Sequence, residues 1–158
     1  MAKIETRKET GELARSVPNN LEVEQAILGC ILIDPEATIN IVAKVKPIDF
    51  YSESHKVIYD AMLSLYSRNV NVDIITLTDE LERKGQLVGV GGVTYLTMLT
   101  NVVPSAANHE NYIAILRRDS TLRQLIESCN NILNKAYENQ DNANVLALAE
   151  KSLSLIHI

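Results

Sequence analysis

Gly89-Val90-Gly91-Gly92 is the one glycine-rich run that leads into a helical pattern, and such a loop can cradle phosphate with its backbone amides. A phosphate-binding loop also needs a lysine and a serine or threonine directly after the glycines, for phosphate oxygens and magnesium. Val93-Thr94-Tyr95 follows instead, and the next lysine is Lys135. The run therefore reads as a turn, which is the usual job of clustered glycine. His55, His109 and His157 fall on separate segments. None has a second ligand at the spacing that a zinc centre requires. His55 belongs to the first turn of a helix, a place for packing or capping. No G-x-S-x-G nucleophile elbow occurs. Glu22, Glu24, Asp79, Glu80 and Glu82 cluster near helix starts, where the helix dipole already favours acids. The residues offer no catalytic, cofactor-binding or metal-binding constellation.

The elements that would hold any site are helical. Asn19 stands three residues before Glu22, the spacing of a capping box, and Val23, Ile27, Cys30 and Ile31 then make one apolar stripe. Asp34-Pro35-Glu36 starts a short second helix over 36–45, because proline suits a first turn whose amide needs no partner. A third helix near 52–68 carries Ile58, Ala61, Met62 and Leu65 at buried-stripe spacing. Residues 70–74 alternate but have no partner strand, so they read as an extended connector. Thr76 with Asp79 starts a fourth helix, ended by Gly85. After the glycine turn comes a fifth, with Val93, Leu96 and Leu99 facing inward.

From Ser105 the pattern lengthens. Residues 106–138 stay helical for about nine turns, and Leu122, Leu125, Ile126, Cys129, Ile132, Leu133 and Ala136 trace one apolar edge. Glu138 to Asn142 is a polar turn, and 143–156 returns with Val145, Leu148, Ala149, Ser152 and Leu155/Ile156 inward. That is an αα-hairpin, and its edge has too little core of its own unless another chain or pair meets it. The fold class is all-α: a compact bundle of about five short helices followed by a long-helix hairpin. Residues 1–16 form a disordered tail, 17–104 the bundle, and 105–158 the hairpin.

Composition agrees. A chain of 158 residues that is 46% hydrophobic can bury one core, and the lack of Trp, with a single Phe, suits helices. A formal charge of −5 and an isoelectric point near 5.2 argue against a domain that grips DNA by its own surface. Arg117, Arg118 and Arg123, diluted by Asp119 and Glu127, read as a solvated helix face. Cys30 and Cys129, each on an apolar stripe, read as reduced core residues. The charged tail lacks an apolar block, and no run is long enough to span a bilayer, so the expectation is a soluble, cytoplasmic protein.

The short words of the chain, taken in order, carry a resemblance. Glu24-Gln25-Ala26, Leu28-Gly29 and Asp34 are followed by Asp49-Phe50-Tyr51, His55 and Ile58-Tyr59. Val72-Asp73, Thr76-Leu77, Gly91-Gly92 with Tyr95-Leu96, Val103-Pro104-Ser105 and Asn108 come next. Tyr112, Arg123 and Ala149-Glu150-Lys151 complete the series. From about residue 17 onward the chain resembles the N-terminal domain of the DnaB family of bacterial replicative helicases. The charged extension before Val17 is longer than many relatives carry.

The resemblance implies a parent with an ATPase motor after this domain, binding ATP and magnesium and moving on single-stranded DNA as a hexamer. The motor's phosphate loop and arginine finger are absent here, so the expectation is a fragment that stops near the linker, with no enzyme activity or cofactor of its own. The resemblance also implies a collar built as a trimer of dimers through the hairpins, onto which the C-terminal domain of a DnaG-type primase docks, and in some relatives a loader. Carried over, the primase contacts are Tyr95, Ile126 and Ile132, and the hairpin positions for self-association are Leu122, Leu125, Cys129 and Leu133. The first three also suit core packing, although a tyrosine joins a large apolar face to a polar tip and so suits an interface. Two other readings stand beside this one: an unrelated helical dimerisation or adaptor domain, and a small enzyme or nucleic-acid binder.

Overall fold

The computed structural model describes residues 16–138 and 142–156. The expectations for the tail up to residue 15, for the turn residues 139–141 and for His157 lie outside the described residues. Among the described residues there are seven α-helices, two 3-10 turns and no strands. We number the helices α1 (Leu21–Ile33), α2 (Pro35–Lys44), α3 (Glu53–Ser67), α4 (Ile74–Arg83), α5 (Gly92–Asn101), α6 (His109–Tyr137) and α7 (Asn142–Ile156). The all-α architecture matches the expectation.

Helix α1 is the centre of the bundle, packed against α2, α3, α5 and α6. It buries Val23, Glu24, Ala26, Ile27, Leu28, Gly29, Cys30 and Ile31, so it is enclosed well beyond the single stripe read from the sequence. Its cap also lies one residue later than expected. Asn20 Oδ1 accepts the Val23 amide at 3.1 Å, whereas the Asn19 amide turns back to the Val17 carbonyl. Capping by Asn20 places Val23 third in the helix, and Glu22 is left in solvent. Asp34 caps α2 by accepting the Glu36 amide at 2.9 Å with Pro35 in the first position, as expected.

Thr76 is likewise not the cap of α4. Asp73 is, and Thr76 closes the box as its third residue: the Thr76 amide donates to Asp73 Oδ1 at 2.9 Å and the Asp73 amide to Thr76 Oγ1 at 3.0 Å. A carboxylate accepts more strongly than a hydroxyl, so the acid takes the outer position. Gly85 ends this helix in the left-handed region, at φ +68°. In α5, Leu96 and Leu99 are buried as read, but Val93 is exposed. Thr94 beside it is exposed too, so the first turn of α5 overhangs the core.

Gly29 marks the closest crossing. A side-chain carbon added there would fall well inside contact distance of the Leu99 carbonyl on α5. Mid-helix glycine normally yields to alanine with a gain of up to about 1 kcal/mol. Here the neighbour is backbone and cannot rotate away. Gly29→Ala is therefore expected to lower the unfolding free energy by about 1–3 kcal/mol, measured by urea denaturation; a stabilised variant would show that α5 yields at this crossing.

The long helix α6 joins the two parts. Its first three turns bury Ile113, Leu116, Asp119 and Ser120 in the bundle, and no residue beyond Ser120 is buried. Ser120 Oγ donates to Asp49 Oδ1 at 2.7 Å. Arg123 corrects the reading of a solvated basic face. Its guanidinium donates to the carbonyls of Pro18 at 2.8 Å and Asp49 at 2.7 Å and lies over the Tyr51 ring. Pro18 lies ahead of α1 and Asp49 ends the 3-10 turn Pro47–Asp49, and a five-donor side chain can serve both carbonyls. Arg117 and Arg118 do remain exposed.

Candidate functional site

The most tightly organised polar group in the structure joins α1, α3 and α5. Glu24 is 0% exposed and His55 only 3%. Glu24 Oε2 accepts the Tyr51 amide at 2.8 Å, and Oε1 accepts the Ser52 amide at 3.2 Å. These amides lead into the N-terminus of α3, so Glu24 serves the dipole of a neighbouring helix and not only its own. His55 Nδ1 lies 2.8 Å from Glu24 Oε1, and His55 Nε2 lies 2.6 Å from the Tyr95 hydroxyl. Gln25 Nε2 donates to the same hydroxyl at 3.2 Å.

The donors and acceptors of this chain can be ordered. Both oxygens of Glu24 accept from backbone amides, so the proton shared with His55 sits on Nδ1. In the tautomer that carries the proton on Nδ1, Nε2 is an acceptor, and the phenol O–H of Tyr95 donates to it. The imidazole and phenol planes are only 16° apart, which suits an in-plane bond to the ring nitrogen. The Tyr95 oxygen takes the Gln25 amide on its free side. Gly91, at φ +110°, makes room: a side-chain carbon there would lie 2.8 Å from Tyr95 Cβ. Among the described residues, the hydroxyl hydrogen-bonded to the His55 ring is that of Tyr95, and the relay holds that side chain in place.

The candidate contact residues read from the sequence are spread over two regions. Tyr95 is half-buried in the relay. Ile126 and Ile132 lie on α6 some thirty residues further on, Ile126 exposed and Ile132 half-buried. Leu122, Leu125, Cys129 and Leu133 are all exposed on one face of α6, with Leu125 at 39% and Leu133 at 51%. Cys129 is thus no core residue within the chain, unlike Cys30, whose thiol burial pushes up to about 11, with Asp34 adding to the effect. Helix α7 packs along α6. Its Val145, Leu148, Ala149, Ser152 and Ile156 are half-buried, as the stripe implied, while Leu155 is exposed.

A second acid departs from the helix-start reading. Glu80 lies in the later turns of α4 and is buried among Arg68, Arg83, Lys84 and Ser64. Burial pushes its carboxyl up, but hydrogen bonds from Arg68, Ser64 and Lys84, with the Arg68 charge, outweigh that and hold it at about 2. The cluster ties the end of α3 to α4. Among the described residues no three or more His, Cys, Asp or Glu gather as a metal site, and no helix is long and apolar enough to cross a membrane.

Sequence reasoning missed Glu24 and Gln25 as partners of His55 and Tyr95. The signal was present in the Glu24-Gln25-Ala26 word, two polar residues inside the most enclosed helix. What pairs them lies 31 and 70 residues away.

A family model described as "DnaB-like helicase N terminal domain" matches residues 16–118. The chain is similar to replicative DNA helicase DnaC of Bacillus subtilis (strain 168), 42% identical over 140 residues, which are 88% of this chain and 31% of that protein. Replicative DNA helicase DnaB of Geobacillus stearothermophilus is 40% identical over 132 residues, covering 84% of this chain and 29% of the relative. The chain thus spans about three-tenths of the length of these curated relatives. The crystal structure of the N-terminal domain of DnaB helicase from Mycobacterium tuberculosis superposes with a TM-score of 0.84 at 34% identity, over 88% of this chain and 99% of that one. A DnaB-like replicative helicase, whose structure was described together with its interactions with primase, gives a TM-score of 0.70 at 27% identity. That match covers 87% of this chain and 31% of the other. A family model over the whole bundle, relatives at 40% identity and above, and a solved domain of the same shape agree: this chain belongs to the DnaB-like helicase N-terminal domain family.

Proposed function

We propose that the chain is the N-terminal collar domain of a hexameric replicative DNA helicase, serving self-assembly and the docking of primase. The observation that carries this reading is the uncovered edge of α6. Beyond Ser120 the helix buries no further residue, and Leu122, Leu125, Ile126 and Leu133 stay exposed although α7 lies alongside. Aliphatic side chains repeated on one helix face are a surface for association. A second copy supplies the same face by two-fold symmetry, and three such pairs make a ring. ATP, magnesium and single-stranded DNA belong to the motor and channel of the parent helicase, which works in the bacterial cytoplasm; a loader is a further partner. Family membership sets aside an unrelated adaptor domain.

Docking involves the C-terminal domain of a DnaG-type primase, with Tyr95, Ile126 and Ile132 as contacts. It is supported by the described interactions of the related helicase with primase. The test combines sedimentation equilibrium with titration by that primase domain. Concentration-dependent dimers and saturable binding are expected. A chain that stays monomeric at high concentration and binds no primase would overturn the proposal. Tyr95→Ala should raise the primase dissociation constant about tenfold, equivalent to about 1.4 kcal/mol. The comparison is made at a temperature where circular dichroism shows the variant folded, since His55 loses its partner.

A further inference from the structure

The geometry points to His55, anchored by Glu24, as a positioning residue of the docking surface: by holding the Tyr95 hydroxyl it fixes the pose of the ring that Tyr95 presents to the primase C-terminal domain. This inference rests on the reading of Tyr95 as a docking residue and adds what controls that residue. Tyr95 is half-buried and packed against the core. A tyrosine so placed has two torsions to fix before it can meet a partner in one pose. Here its oxygen is held from two helices, by His55 Nε2 on α3 at 2.6 Å and Gln25 Nε2 on α1 at 3.2 Å. His55 cannot swing to follow it, because Nδ1 is tied to Glu24, which is tied to the backbone before α3. The Tyr95 oxygen thereby has a partner on each side, His55 Nε2 and Gln25 Nε2, which leaves the ring as the part free to meet a partner. Ordering the side chain before binding removes an entropy cost from the encounter, the usual gain from preorganisation.

The test is a double-mutant cycle on primase binding. His55→Asn keeps an amide donor for Glu24 near the Nδ1 position but no longer reaches Tyr95. Tyr95→Phe keeps the ring and removes the hydroxyl. Each is expected to weaken binding by about fivefold, and the double variant by no more than either alone, because linked residues are non-additive. His55→Gln, whose longer side chain reaches the Nε2 position, should bind within about twofold of the parent. Binding unchanged in Tyr95→Phe would overturn the inference, as would equal loss from His55→Asn with and without the hydroxyl. Tyr95→Ala separates the two claims. If it leaves binding intact, the docking role of Tyr95 fails; if it weakens binding while His55→Asn and Tyr95→Phe do not, only the positioning role fails.

Discussion

Glu24→Ala will destabilise the domain by about 3–5 kcal/mol, because each buried donor left without its acceptor costs about 1–3 kcal/mol. Three donors lose their acceptor at once: the Tyr51 amide, the Ser52 amide and His55 Nδ1. Glu24 itself has no solvent exposure, so its truncation leaves these donors around an internal space. Domains of this kind are held by about 5–15 kcal/mol in total, so the loss is a large fraction of the whole. Glu24→Gln should cost less, about 1–3 kcal/mol, because the amide oxygen still accepts one bond while its NH2 faces donors. Urea denaturation gives both values. Equal midpoints for the parent and Glu24→Ala would show that the pair adds nothing to stability.

Leu125→Asp should separate assembly from folding. The side chain is exposed within one chain, so a carboxylate there stays in water in the monomer. In a dimer built on this face the same carboxylate would be buried without a partner, at a cost of several kcal/mol. The expected result is a dimer dissociation constant raised at least about 100-fold, or roughly 2.7 kcal/mol. The thermal midpoint of the dilute, monomeric chain should move by less than about 2 °C, since surface changes rarely exceed 0.5 kcal/mol. Sedimentation velocity with circular dichroism reads both. An unchanged mass would remove the α6 edge as the interface and leave the bundle surface to carry assembly. The prediction is independent of Tyr95, which lies on α5 in a different part of the molecule.

The helices themselves were legible because their signals are local. The Asp34-Pro35 cap, the Gly85 stop and the stripe of α3 each involve residues within a turn or two of one another. Where local reading slipped, it slipped within one turn. Asn20 took the cap from its neighbour Asn19, and Asp73 took it from Thr76, its partner three residues on in the same capping box. The order of short words also identified the family. Their physical reasons emerged only from packing: Gly29 permits the approach of the Leu99 backbone, and Gly91 the approach of Tyr95.

The partners of polar side chains were not legible. Arg123 looked like part of a solvated basic face, yet it bonds carbonyls 105 and 74 residues away. Glu24 and Glu80 looked like helix-start acids, yet both are buried and paired with other helices. Cys30 and Cys129 sit on apolar stripes of equal quality, but one is enclosed and the other exposed. By itself, then, the sequence determined where helices begin, which faces are apolar, and the family, since all of these are written in spacings of a few residues. Tertiary structure alone decided which acids meet which donors and which apolar face stays uncovered. A side chain's environment is set by where helices cross, and those crossings join residues whose separation along the chain leaves no local trace.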